Sequence, residues 1–549
     1  MGAFLVWGPM TAEHIASMSK PVESEVDGEI SRAKMTRSAG VVAFFTSLSR
    51  ITGLLRDKVV AHLFGATAVT DAFVMAFTIP NMMRRFVAEG ALTVAFIPVY
   101  TDLRKKGSEE DALEFFRATL GLLSIFLLIL VGLGVLGASF LVSTLAWGFD
   151  DNAAKFALTT AMTQLMFPYV FFISLVGLFM GALNSRGHFA MPAASPVVLN
   201  LSMIAGAYFW SPFFVEPMMG QALGVVIGGV LQVLIHIPAL KRYDLLHWPT
   251  LNYHLPGVIR LGRLLIPALF GVAAYQLNLI VLRGLGSYLP DGQLTYYYNA
   301  DRLMQLALGI FAISIATAAL PTMSAQSARG ERKQLLETWA FSTRLTNFIT
   351  IPAAVGLLFI SVPIASVLWQ SGKYTWPDVQ LTAYITMAFA PGLIAIAVMR
   401  TTVQVFYALE DMKSPVWISA ACVALNLGFG LWLLQYEVVG LAIAFTLSCF
   451  AQMLLLIVIL RRKIGPIGGR ALLLTTMRQT LSASAACGIA WSMTLLADWS
   501  LGPTPKNAAI LLVSILTAIA VYGGLESYFG SQEVKKIWAL VSEKLNRRR

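Results

Sequence analysis

The chain has 549 residues, 57% hydrophobic and only 13% charged, with a net charge of +11 and a mean hydropathy of +0.71. Soluble domains carry about a quarter charged residues, so an ordinary water-soluble protein is excluded. Many separate runs of about 20 apolar residues indicate a multi-span helical membrane protein, whereas a barrel would need short alternating segments.

Residues 1–34 begin with an apolar stretch, Gly2 to Trp7, that is too short for a signal-peptide core. Thr11 to Lys34 is polar and mixed in charge, and the whole segment is expected to be a flexible cytoplasmic extension. Met35-Thr36-Arg37 also reads as a membrane-protein start. Hydropathy then predicts fourteen helices: 38–64, 70–100, 113–147, 158–184, 190–211, 218–240, 258–285, 294–324, 337–369, 382–409, 415–435, 438–460, 474–498 and 507–528. The resulting organisation is a first lobe over 35–241 (helices 1–6) and a second over 242–463 (helices 7–12). An extra pair occupies 464–529 (helices 13–14), and 530–549 forms a basic cytoplasmic tail.

Alternate connections are basic: Arg104-Lys105-Lys106, Arg186, Lys241-Arg242 with Arg260 and Arg263, Arg329 with Arg332-Lys333, Lys413, and Arg461-Arg462-Lys463 with Arg470. The others hold little beyond Lys155, Arg283, Lys373 and Lys506. The positive-inside rule therefore places both termini in the cytoplasm and requires an even number of crossings. The charge follows membrane topology, and no nucleic-acid partner is expected.

The sequence repeats itself at an offset of about 223–226 residues. Pro98 matches Pro321, Trp147 matches Trp369, and Pro168 matches Pro391. Ala182-Leu183-Asn184 matches Ala408-Leu409-Glu410, followed by Asn200-Leu201 and Asn426-Leu427. Two six-helix units entering from the same side predict lobes related by an axis along the membrane normal, with a cavity between them. Such a duplication favours an alternating-access transporter. A channel would display a selectivity filter, of which there is no sign, and a scaffold is the remaining alternative.

Charges inside two of the predicted helices are the main functional signal. The first carries Arg50, Arg56, Asp57 and Lys58; the second carries Asp71, Arg84, Arg85 and Glu89. Charges at membrane depth persist where they face each other or a watery cavity. Arg50 and Arg56 are separated by about 600° of helical rotation and so lie on neighbouring faces at different depths. Arg85 and Glu89 have the spacing of a pair along one helical face, and Pro80 permits a kink ahead of them. In the second lobe, Asp301-Arg302 supplies the cation expected to face this cluster. The arginines outnumber the nearby acids. A self-paired network is the plain explanation; the sharper one is an anion site, because the guanidinium fork suits phosphate.

The three cysteines and the histidines show no ligand spacing, so no metal site is expected. No nucleotide-binding loop, zinc motif or nucleophile elbow occurs, and an enzyme is not expected.

The runs Ser49-Arg50-Ile51-Thr52-Gly53-Leu54-Leu55-Arg56-Asp57, Phe64-Gly65-Ala66, Thr70-Asp71-Ala72-Phe73, Pro80-Asn81-Met82-Met83-Arg84-Arg85 and Ala88-Glu89-Gly90-Ala91 resemble the bacterial MurJ/MviN lipid II flippase family. Asp301-Arg302-Leu303-Met304 is similar to the family's eighth-helix motif, and the resemblance extends from Met35 to about the end of the fourteenth helix. It implies a fold of the multidrug/oligosaccharidyl-lipid/polysaccharide exporter superfamily: an all-α polytopic protein with two six-helix lobes and two C-terminal helices forming a lipid-tail groove. It further implies a multi-pass protein of the bacterial inner membrane that moves lipid II, an undecaprenyl-diphosphate-linked disaccharide-pentapeptide, to the periplasmic leaflet.

By motif match, Arg50, Arg56, Arg84 and Arg302 take the positions of the cavity arginines, supported by Asp57, Asp71, Arg85, Glu89 and Asp301. No cofactor is implied. Some members hold sodium with acidic side chains in the second lobe; here Gln276, Asn278 and Asn426 stand near the comparable helices with no evident buried carboxylate beside them. That departure counts against sodium coupling and leaves voltage dependence open. A monomer in contact with membrane lipids and cell-wall synthesis proteins is the expected assembly. The alternatives are an exporter of another polyprenyl-diphosphate-linked saccharide, a drug or cation antiporter, and a membrane scaffold.

Overall fold

A computed structural model of the chain describes residues 25–86, 92–308 and 312–536. Their structure is helical almost throughout. The first lobe contains α1 (Glu25–Phe64), α2 (Ala68–Phe86), α3 (Leu92–Lys106), α4 (Glu109–Leu136), α5 (Ala138–Leu145), α6 (Ala153–Met166), α7 (Tyr169–Ser185), α8 (Ala190–Ala205) and α9 (Met218–Arg242). The second contains α10 (Pro256–Gly286), α11 (Gln293–Leu308), α12 (Ala312–Ala328), α13 (Arg332–Trp369), α14 (Trp376–Ala408), α15 (Lys413–Leu433) and α16 (Glu437–Ile464). The C-terminal pair is α17 (Gly469–Thr494) and α18 (Pro505–Tyr528).

Each predicted segment falls on one of these helices or on a broken pair of them. Residues 25–34 differ from the expected flexible extension, because they continue α1 without a break. The boundary was drawn where hydropathy rises, but a helix needs no apolar surface where it runs beyond the bilayer. Within the described residues, eight helical stretches are long and apolar enough to cross a membrane.

The internal repeat is visible in the helix starts: Glu109 and Arg332, Ala153 and Trp376, and Ala190 and Lys413 are each 223 residues apart. Local chemistry sets many of the boundaries. Ser108 and Asp111 form a capping box at α4, and the N-caps Asn152 of α6 and Thr375 of α14, the latter boxed by Asp378, stand 223 residues apart. In α13, Ile360 has φ −125° and ψ 25°, three residues before Pro363. Proline disfavours a regular turn ahead of it, which accounts for the kink.

Each lobe has its own apolar core, centred on Phe96, Phe116 and Tyr169 in the first and on Leu393, Phe389 and Trp339 in the second. The outside is equally apolar. Phe126, Leu128, Ile129 and Leu133 of α4 are exposed, as are Leu512, Leu516 and Ile519 of α18. Such a surface is stable only against lipid.

The C-terminal pair is fastened to α13 along its length. Near one end, the Ser366 hydroxyl donates to the Trp499 carbonyl at 2.7 Å, and Gln370 donates to the Ser500 carbonyl at 2.6 Å. Apolar packing of Ile351, Val355, Ala483 and Cys487 fills the middle. Towards the other end, Arg344 of α13 pairs with Glu533 at 3.2 Å, and its carbonyl accepts from Gln479 at 3.3 Å. Arg478 of α17 pairs with Glu526 of α18 at 2.9 Å and joins the two helices of the pair. Ser482 donates to Glu526 at 3.0 Å, and both glutamates are buried. Residues 532–536, assigned to a basic tail by sequence, begin as a docked helical turn in which Glu533 neutralises Arg344. Residues 537–549 lie outside the described residues.

Removing one partner from a buried pair costs about 3–5 kcal/mol. Glu526→Ala is therefore expected to lower the thermal unfolding midpoint of the purified protein well beyond the exposed control Lys506→Ala. Equal midpoints would show that this polar contact does not hold α17 to α18.

Candidate functional site

α1 crosses against α8 of its own lobe and also meets α13 of the second, so its charges face the boundary between lobes. Arg56 is only 5% exposed. Its Nε donates to Asp57 Oδ1 at 2.9 Å, its Nη1 to Asn200 Oδ1 at 3.1 Å, and its Nη2 to the Tyr298 hydroxyl at 3.0 Å. The second carboxylate oxygen of Asp57 forms an ion pair with Arg302, 3.1 Å from its Nε. Arg302 also donates to Tyr298, from Nη2 at 2.7 Å and from Nε at 3.2 Å. Two guanidinium groups from different lobes thus share one buried carboxylate and one phenol.

Asn200 is held in turn by donation to the Ser49 carbonyl at 3.1 Å. This side chain stands at the repeat position matched by Asn426, which is also buried. Arg302 retains 32% side-chain exposure, leaving the second-lobe side of the cluster accessible. Arg50 is half-buried, about 9 Å further along α1 by the helical rise. Arg84 donates to Asn81 Oδ1 at 3.0 Å on its own helix. Asp301 accepts from Gln305 one turn further along α11. The structure therefore joins Arg56, Asp57 and Arg302 directly, with Arg50 on the same helix and Arg84 engaged locally. The Arg85 side chain and all of Glu89 lie outside the described residues, as do the Gln276 and Asn278 side chains.

Asp71 occupies a different place from the one expected. It lies in a second, separate interlobe cluster at the opposite end of α2 from Arg84. Its Oδ1 accepts from the Thr295 amide at 2.9 Å and the Thr295 hydroxyl at 2.7 Å. Its Oδ2 accepts from the Gly292 amide at 2.7 Å and lies 3.2 Å from Lys155 Nζ. The reason is the start of α11, whose unsatisfied amides attract a carboxylate. Lys155 also reaches Asp291 at 2.8 Å. Gly292 adopts φ +89°, and a Cβ there would come within 2.7 Å of the Ala66 carbonyl oxygen. Nearby, the Lys373 amide donates to the His62 carbonyl at 3.0 Å. The lobes are closed together at this end.

Sequence reasoning missed Tyr298, Asn200, Lys155 and Asp291 as parts of these clusters. Tyr298 stands four residues before Arg302, a spacing that places both on one helical face. Lys155 was visible as a rare cation in an otherwise weakly basic set of connections. Among the described residues, no three His, Cys, Asp or Glu side chains form a metal-ligating group.

A family model described as lipid II flippase MurJ matches residues 60–509. The chain belongs to the MurJ family. It is 34% identical over 431 residues to a probable lipid II flippase MurJ of Vibrio cholerae, covering 77% of this chain and 82% of that one. The corresponding Bdellovibrio bacteriovorus protein is 34% identical over 513 residues, covering 92% and 97%. Among solved structures, a lipid II flippase MurJ in an inward closed conformation is similar with a TM-score of 0.73 and 25% identity, covering 89% of this chain and 98% of that chain. An inward-facing multidrug resistance transporter of the MATE family shares the fold at 12% identity and a TM-score of 0.63, covering 77% and 95%. The chain is thus an all-helical, multi-pass membrane protein of the MurJ family.

In this setting the Asp71–Lys155 cluster is expected to hold the lobes together. Lys155→Ala leaves the Asp71 carboxylate buried without its cation, so the closed end should open more often. A cysteine at Ala61, buried in the neighbouring seam, should then react several-fold faster with a membrane-impermeant maleimide. Unchanged labelling would remove Lys155 from the closure.

Proposed function

We propose that this protein flips lipid II from the cytoplasmic to the periplasmic leaflet of the bacterial inner membrane by alternating access. The observation that carries this reading is the interlobe arginine cluster within a MurJ-family fold. Lipid II joins a diphosphate and a large polar head to a prenyl chain, and its head cannot enter hydrocarbon without losing hydration. Guanidinium groups replace that hydration with charge-assisted hydrogen bonds. Arg50, Arg56, Arg84 and Arg302 are the proposed diphosphate ligands, with Asp57 as their counter-charge; Arg85, Glu89 and Asp301 support them.

The basic connections lie on the cytoplasmic side in this reading, with both termini there and fourteen crossings in all. The Asp71–Lys155 closure is then periplasmic, and the cluster opens towards the cytoplasm. The protein is a transporter and not an enzyme, works as a monomer, and takes no cofactor. Contacts with cell-wall synthesis proteins belong to the same proposal. Sodium coupling is left out, because the sequence places Gln276, Asn278 and Asn426 where acidic ligands would be needed.

The C-terminal pair is assigned to the undecaprenyl tail. A shallow apolar groove of about 190 Å³ lies between α17 and α18, lined by Met493, Leu496, Ala509, Ile510 and Val513. Each buried methylene contributes about 0.8 kcal/mol, so even partial seating keeps the tail engaged. The second reading, export of another polyprenyl-diphosphate-linked saccharide, uses the same arginines, since both cargoes share the diphosphate.

In reconstituted vesicles, Arg56→Ala and Arg302→Ala are each expected to reduce lipid II translocation at least tenfold, roughly the loss of one charge-assisted hydrogen bond in the transport step. Lysine at either position should recover only part of the activity, because it lacks the planar fork. Normal translocation by both alanine variants would reject the arginine assignment. Equal or faster movement of an O-antigen-type precursor by the unaltered protein would select the second reading. Labelling that placed Lys105 and Lys333 on opposite membrane faces would overturn the topology.

A further inference from the structure

Tyr298 is the side chain at the arginine cluster whose presence is least explained by packing. It is half-buried, and its hydroxyl receives donors from both lobes: Arg56 Nη2 at 3.0 Å and Arg302 Nη2 at 2.7 Å. Its ring also lies 5.1 Å from the Arg302 guanidinium carbon. A phenol oxygen has two acceptor lone pairs, and cations from opposite lobes meet both. Asp57 contacts both guanidinium groups, with one carboxylate oxygen turned to each. Tyr298 therefore completes their coordination with a neutral acceptor.

That choice of acceptor has a chemical consequence. Hydrogen bonds from a guanidinium to an ionised oxygen are about twice as strong as those between neutral groups. A second carboxylate here would neutralise both arginines and compete with any incoming anion. A phenol keeps the two forks pointed at a common position without adding a negative charge there. A phosphoryl oxygen can take that position by displacing the weaker acceptor.

We propose that Tyr298 is a positioning residue: it holds Arg56 and Arg302 on one shared point when the site is empty and yields that point to a phosphoryl oxygen of the cargo. Its return to the two guanidinium groups assists release. The proposal rests on the reading of these arginines as diphosphate ligands, and it adds an acceptor that competes with the cargo.

The test uses the full-length protein, farnesyl diphosphate as a binding probe, and lipid II translocation in vesicles. Tyr298→Phe removes the competing oxygen and keeps the ring. It should bind farnesyl diphosphate about fivefold to tenfold more tightly, the scale of one neutral hydrogen bond. Translocation should show KM and kcat falling together, as release slows. Tyr298→Gln restores a neutral acceptor and should return affinity towards that of the unaltered protein. Unchanged or weaker binding by Tyr298→Phe would overturn the proposal, whatever its folding stability. Arg56→Ala separates the two levels: lost affinity there with unchanged Tyr298→Phe rejects only the competing acceptor, whereas undiminished affinity in Arg56→Ala rejects the diphosphate site itself and the proposal with it.

Discussion

The structure depends on one electrostatic constraint: two guanidinium groups, one from each lobe, share the single carboxylate of Asp57. Away from bulk water, charges must find partners, and removing one partner strands the other. Neither lobe can satisfy this arrangement alone: Asp57 and Arg56 come from α1, whereas Arg302 comes from α11, so the ion pairs form across the lobe boundary. The cluster's remaining shared acceptor, the Tyr298 hydroxyl, carries no charge.

The second interlobe cluster has the opposite character. Asp71 receives two backbone amides, one hydroxyl and the Lys155 ammonium, so its carboxylate is fully coordinated. Nothing in that arrangement asks for a further ligand. Close backbone approach at Gly292 and Gly372 supports the same contact. The two clusters differ accordingly: the saturated one closes one end of the lobe boundary, whereas the other completes its arginines with a neutral phenol, which suits the proposed cargo site. A transporter that bound its cargo equally in both states would gain nothing from changing shape.

Much of this was readable in the sequence because membrane burial makes charge conspicuous. Arg56, Asp57 and Arg302 stood out within apolar runs, and the structure joins them across the lobe boundary. The repeat was also legible, since prolines, a tryptophan and an asparagine–leucine pair recur at a nearly fixed offset. Asp71 was placed in the wrong cluster because its partners are mainly backbone amides at the start of α11, which leave no mark on side-chain pattern. Lys155 lies 84 residues from Asp71, and only packing reveals that they meet. Tyr298 was obscured by its neighbours Tyr296 and Tyr297, which turn instead towards Asp378 and Phe389. Glu526 and Glu533 were overlooked for a related reason: hydropathy treats a helix end as a solvated boundary, whereas here both acids are buried against arginines.

The C-terminal pair connects these local facts to movement. Its contacts run to α13, from Ser366 and Gln370 at one end to Arg344 at the other, and its glutamates are buried within that seam. Sliding the pair relative to α13 would break the Arg344–Glu533 ion pair and the Ser366 and Gln370 hydrogen bonds, which favours movement of the pair with the second lobe. Arg302 belongs to that same lobe. A prenyl tail seated between α17 and α18 and a diphosphate held by Arg302 would then travel on one rigid body, while Arg56 and Arg50 travel on the other. Separation of the lobes would divide the arginines around the diphosphate without pulling the tail from its groove. Head-group release and tail retention are therefore compatible in a single rigid-body step, because the bonds that must break lie across the lobe boundary and those that must persist lie within the second lobe.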